Sequence, residues 1–108
     1  MSIELSGTVA SYFAAESRND AQALAQCFTA SAIVRDEGRI IEGVDAIKQW
    51  NRTAKEKYQH SVQPIKAFDR DGRTVVIGKV SGNFPNSPLN LEHIFELEGG
   101  KIALLEIR

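Results

Sequence analysis

Up to Tyr58 the apolar residues recur mainly at three- and four-residue intervals; beyond it they mostly alternate. Leu5, Val9, Tyr12 and Phe13 predict an amphipathic helix over residues 4–17, and Glu16 continues the same stripe one turn after Tyr12. Asn19-Asp20 offers an N-cap for a short second helix built on Ala21, Leu24, Ala25 and Phe28. Ala32-Ile33-Val34-Arg35-Asp36 predicts a strand on which Ala32, Val34 and Asp36 share one side. Glu37-Gly38 predicts a tight turn into a second short strand, Arg39-Ile40-Ile41-Glu42. Gly43-Val44-Asp45 starts a third helix, with Asp45 as its cap and Ile47, Trp50 and Ala54 on its inner stripe.

The period-2 remainder predicts strands over residues 60–69 and 74–82, joined by the turn Asp69-Arg70-Asp71-Gly72. Asn83 to Pro88 interrupts them, because two prolines do not fit a central ladder. Leu89 to Glu98 and Lys101 to Ile107 then form a hairpin across Gly99-Gly100. Helices first and a long antiparallel meander afterwards predict an α+β domain. The expected architecture is a cone-shaped roll: three N-terminal helices packed on a strongly curved antiparallel sheet, with an internal pocket on its concave side. With no repeat, low-complexity tract or linker, residues 1–108 form a single expected domain.

Composition narrows the class of partner. A chain of 108 residues, 43% apolar and 25% charged, has the make-up of a soluble globule with room for a core and a modest cavity. Its net charge of −1 and its scattered basic residues argue against nucleic acid and against anionic membranes. The N-terminus lacks a basic leader and no long apolar stretch follows, so the expected location is cytoplasmic. Cys27 is the only cysteine and is expected to pack as a small hydrophobe. The only histidines, His60 and His93, have no paired ligand spacing, and there is no glycine-rich phosphate loop, so neither metal nor cofactor is expected. Asn51-Arg52-Thr53 matches a glycosylation sequon but lies within a predicted helix and is set aside.

Asp36 carries the candidate chemistry. It places a carboxylate on a face that otherwise looks like core, where an acid must be paired, protonated or used. In the functional reading it is a general base whose pKa is raised by desolvation. In the structural reading it accepts turn amides at Gly38 or pairs with Arg35 or Arg39. Along the last hairpin Leu89, Leu91, His93, Phe95 and Leu97 share one face, while Asn90, Glu92, Ile94 and Glu96 share the other. That parity turns His93 toward the hollow and Glu92 away from it.

Four stretches in this order resemble the nuclear transport factor 2-like superfamily, and within it the SnoaL-like and ketosteroid isomerase-like proteins. They are Tyr12 to Ala15; Leu24 to Phe28 leading into Ala32 to Asp36; Gly43 to Trp50; and His93 to Leu97 followed by Gly100-Lys101-Ile102. The fold hosts isomerases, cyclases, dehydratases, epoxide hydrolases and catalytically inert binding modules. Ketosteroid isomerase uses an Asp base with a Tyr and a protonated Asp as oxyanion donors. Tyr12 and Asp36 match its Tyr and its base, including the interval (36 − 12 = 24). Its third position falls on Glu92 by counting back from Gly100-Lys101, or on His93 by aligning Phe95 and Leu97; strand parity favours His93.

The resemblance implies a catalytic set of Asp36 as base with Tyr12 and His93 as polarising donors. The expected hollow is lined by Val9, Phe13, Glu16, Val34, Trp50, Leu91 and Phe95. Its ligand would be a small apolar molecule, and a carbonyl compound is what an Asp base favours. The alternative is a non-catalytic ligand-binding or dimerisation module. A homodimer is expected through the outer sheet face, where Val75, Ile77 and Ile94 would form an apolar patch beside Asn90 and Glu92.

Overall fold

The computed structural model describes Leu5 and residues 7–108. Helix α1 spans Gly7–Ser17 and α2 Ala21–Ala25, with strands β1 at Phe28–Asp36 and β2 at Arg39–Glu42. Helix α3 spans Val44–Tyr58. Strands β3 (Ser61–Arg70), β4 (Arg73–Ser81), β5 (Leu89–Glu98) and β6 (Lys101–Ile107) complete the chain. The six strands form one sheet in the order β2-β1-β6-β5-β4-β3. Every pairing is antiparallel except β1 with β6, which is parallel and brings Asp36 beside Ile107. The expected α+β roll is therefore present, with one parallel seam that a meander alone does not predict. The start of the predicted first helix, before Leu5 and at residue 6, lies outside the described residues.

Local chemistry explains most boundaries. Asp20 caps α2 by accepting from Ala23 N at 3.0 Å. Phe28 opens β1, opposite Ile102, and does not belong to α2. Helix α2 stops because Cys27 N bonds back to Leu24 O while Cys27 O accepts from Ile102 N, which delivers the chain into the sheet. Asp45 is likewise not the cap of α3. Gly43 holds that position at φ 90°, a conformation costly for other residues, and Asp45 sits in the first turn, where its charge favours the helix dipole. At the Asp71-Gly72 and Gly99-Gly100 turns both central residues have positive φ, which matches hairpin twist.

Register shifts interrupt β1/β6 between Phe28 and Ile33, β3/β4 between Pro64 and Lys66, and β5/β6 between Glu96 and Leu97. Such irregularities bend a sheet, and here they curl it around the helices. Val34, Val76, Phe95, Ile102 and Leu105 face inward and pack with Val9, Tyr12 and Phe13 of α1, Leu24 of α2 and Ile47 of α3. Among the described residues, no helix is long and apolar enough to cross a membrane.

The outer face of the sheet differs from expectation. Val75 and Ile94 are 0% and 3% exposed within the single chain, and Ile77 is half-buried, so they present no apolar patch. Val75 lies opposite Ile94, with Arg73, Glu92 and Glu96 on the same side. That face carries ion pairs: Arg70–Glu92 at 2.9 Å, Arg73–Glu96 at 3.2 Å and Arg108–Glu106 at 3.7 Å. The aliphatic stems of these long side chains provide cover for the small apolar centre.

Candidate functional site

The open end of the roll holds a cavity of about 330 Å³. Helix α1 contributes Tyr12 and Glu16, and the end of β1 contributes Asp36 and Glu37. Helix α3 adds Trp50, Asn51, Ala54 and Tyr58. Leu91 and His93 of β5 and Val62 of β3 stand opposite, while Phe84, Pro85 and Leu89 border the β4–β5 connection.

Asp36 stands at the wall between this cavity and a second cleft under β2. Its Oδ2 accepts from Trp50 Nε1 at 2.9 Å, across the packing of α3 on β1. Among the described residues neither Gly38 N nor the Arg35 or Arg39 guanidinium bonds to it. Burial pushes the Asp36 carboxyl above its ordinary pKa; the indole bond and Arg39 pull it back only partly, and Glu37 adds to the rise.

Tyr12 is held edge-on by Phe13, Phe95 and Phe28, with ring centroids 5.1, 5.4 and 6.0 Å away. Its hydroxyl makes no hydrogen bond to any described residue, although it lies at the cavity wall. Burial, with Glu16 and Asp36 nearby, holds its pKa well above the usual value, so it is a phenol at neutral pH and a donor.

His93 is 2% exposed and faces inward, whereas Glu92 is on the outer face with Arg70. The imidazole fits against Gly78, where an added Cβ would lie 3.0 Å from its Cε1, and it packs edge-on to Phe13. Burial lowers its pKa, so the ring is neutral. Its Nδ1 lies 3.3 Å from Leu91 O, and the Val76 carbonyl is a second main-chain acceptor. A neutral imidazole has one N–H; with that proton on Nδ1 the main chain takes it and Nε2 is left as an acceptor. In that tautomer Nε2 only accepts; in the other, Nε2–H is the donor that the expected polarising role needs.

Glu16 is 2% exposed and turned into the cavity. Its Oε1 meets Lys55 Nζ in an ion pair and lies 3.4 Å from His60 Nε2; its Oε2 accepts from Asn51 Nδ2 at 3.3 Å. Lys55 Nζ also donates to His60 O at 2.8 Å, tying α1, α3 and the start of β3 together. Burial favours the neutral acid, but hydrogen bonds from His60 and Lys55, with their charges, outweigh it and hold the Glu16 carboxyl below its ordinary pKa. Sequence reasoning missed Asn51, Lys55 and His60. The signal was available in α3: Ile47, Asn51 and Lys55 at four-residue spacing put two polar groups on a buried face.

Of the expected lining, Tyr12, Glu16, Trp50, Leu91, His93 and Asp36 meet at the cavity. Val9, Phe13, Val34 and Phe95 do not. They face the same way but belong to the close-packed core at the narrow end, where facing side chains leave no space.

A sheet curled around three helices, with a cavity at its open end, defines the nuclear transport factor 2-like class. The SnoaL-like domain signature matches residues 9–105, and the chain belongs to that family. A Sinorhizobium meliloti protein, provisionally named a polyketide cyclase, is 39% identical over 96% of this chain and 95% of its own, with a TM-score of 0.93. A Catenulispora acidiphila protein with a ketosteroid isomerase-like fold, solved with trimethylamine, superposes with a TM-score of 0.81 at 17% identity, covering 100% of this chain and 86% of its own. A Cytophaga hutchinsonii NTF2-like protein gives 0.79 at 15% identity, over 100% and 93%. These last two share the fold. Among curated proteins, no sequence matches the chain.

Proposed function

We propose that this SnoaL-like protein is a cofactor-independent acid–base enzyme acting on a small, largely apolar carbonyl compound. The observation that supports it most is Asp36: a carboxylate with a raised pKa, held by a neutral indole donor, on the same cavity wall as a phenol with no partner among the described residues. Asp36 would take a proton from the carbon next to the carbonyl. The electron pair released would move onto the carbonyl oxygen, where the Tyr12 hydroxyl would stabilise it. Asp36 then returns the proton, either to another carbon or to the alkoxide formed when the enolate attacks a second carbonyl of the same molecule. The balance needs no oxidant. The provisional name of the Sinorhizobium meliloti relative supports the second, cyclase-like outcome.

A second reading, ligand binding without turnover, is favoured by the Nδ1–H tautomer of His93, in which the N–H is committed to the main chain. Native mass spectrometry of freshly purified protein, followed by turnover assays on any small molecule that travels with it, separates the two. Turnover of a carbonyl ligand by the wild type and its loss in Asp36→Asn supports the enzyme. Retained turnover in Asp36→Asn, or a ligand that is bound and never converted, overturns it.

A further inference from the structure

The charges on the cavity wall are one-sided. Three carboxylates line it, from Glu16, Asp36 and Glu37, and among the described residues no lysine or arginine does. The Lys55 ammonium stands behind Glu16 and is committed to that carboxylate and to His60 O. His60 turns its Nε2 to the same carboxylate. Glu16 is thereby paired locally, whereas among the described residues Asp36 and Glu37 are in no ion pair; Arg39 eases the charge of Asp36 from the cleft under β2 without bonding to it. Asp36 has a neutral indole, and Glu37 has only the Tyr58 hydroxyl at 3.5 Å. Glu37 is exposed at the rim and Asp36 lies deeper on the same wall, so an entering ligand passes one carboxylate to reach the other.

We propose that this cavity excludes anions: its ligand is uncharged where it meets Asp36 and Glu37, so a ketone or an ester enters while the matching free acid or sulfonate does not. The inference rests on the pocket reading above and adds the substrate's charge to it. A single negative charge roughly 6 Å from one of these carboxylates, at an effective dielectric of about 20, binds on the order of a hundredfold more weakly than its neutral counterpart.

The test uses two probes that differ only by a sulfonate, N-phenyl-1-naphthylamine and 8-anilino-1-naphthalenesulfonate. Calorimetry measures the first directly and the second by its ability to displace the first, so binding elsewhere on the surface is not counted. The expected result is that the neutral probe binds and the sulfonate displaces it on the order of a hundredfold more weakly. In the double variant Asp36→Asn/Glu37→Gln the gap should close to within about threefold, since the Coulomb repulsion is gone while the space is unchanged. If that variant does not fold, Glu37→Gln alone replaces it, and the gap should narrow by the share of the repulsion that the exposed rim carboxylate supplies. Equal displacement by both probes overturns the exclusion and leaves the pocket standing. A gap that persists without the carboxylates assigns the discrimination to size and also overturns it. Failure of the neutral probe to bind overturns the pocket reading and the exclusion together.

Discussion

Glu16→Gln is the most informative single change outside the proposed base. It keeps the side-chain shape and removes the charge that Lys55 and His60 face. The Lys55 side chain is only 14% exposed, so its ammonium loses its partner where water replaces it poorly. Breaking a buried pair in this way costs about 3–5 kcal/mol, and the partial exposure of Lys55 puts the expected loss near 3 kcal/mol. At about 2.1 cal/mol/K per residue, this chain has an unfolding entropy of roughly 0.23 kcal/mol/K, and ~3 kcal/mol lowers Tm by about 13 °C. Differential scanning calorimetry at pH 7 reads this directly. Glu16→Gln/Lys55→Met, which removes the stranded charge, should recover most of the loss. The pH dependence has a definite sign. Glu16 has a depressed folded pKa, so its contribution is present above the unfolded pKa and lost as pH falls through the folded one. The gap between wild type and variant should therefore shrink on acidification. A Tm drop of less than about 3 °C at pH 7, or no recovery in the double variant, refutes the idea that the cluster staples α1 to α3.

Other predictions concern the floor, the base and the outer face. Asp36 behaves oppositely to Glu16: its folded pKa is raised, so stability falls as pH rises from the unfolded value through the folded one. Asp36→Asn, which can still accept from Trp50, should leave Tm at pH 7 unchanged or higher in thermal melts; a clear loss would make the carboxylate structural. Gly78→Ala places a methyl 2.7 Å from Val62 Cγ1 and 3.0 Å from His93 Cε1, so overpacking should cost about 1–3 kcal/mol and shift the His93 ring resonances. An unperturbed His93 spectrum would contradict the close fit. Pairing of two copies through the outer face would be a polar contact among Arg70, Arg73, Glu92 and Glu96. Sedimentation at micromolar concentration should show a dimer that weakens as salt rises, and a monomer at low salt would exclude it.

Strand parity was the most legible part of the site, because a period of two leaves only two faces to choose between. It placed Glu92 outward and His93 inward, and it set Asp36 beside Val34. What parity does not carry is depth. Val34 and Asp36 point to the same side of β1, yet one is sealed in the core and the other reaches the cavity. The difference arises where the sheet curls, and that is set by register shifts and by the parallel β1–β6 seam between the two ends of the chain. The same limit hid the partners. Trp50 and Asp36, or Glu16 and Asn51, meet only after α3 has docked across β1 and α1.

Those partners decide which acid can be the base. Glu16 and Asp36 are both carboxylates on one cavity, but burial acts on them with different company. Glu16 has an ammonium, an imidazole and an amide, so its ionised form is the stable one and its proton affinity is low. Asp36 has one neutral N–H as its bonding partner, with Arg39 and His60 acting only through space, so desolvation prevails and its proton affinity is raised. Efficient proton abstraction favours the carboxylate whose pKa has moved toward the working pH. Asp36 moves that way and Glu16 moves away from it. Replacing Trp50 by Phe should sharpen the contrast, since loss of the indole N–H removes the strongest force opposing the rise at Asp36. A carboxylate NMR titration in which the Asp36 pKa falls on Trp50→Phe would contradict this assignment of the two acids.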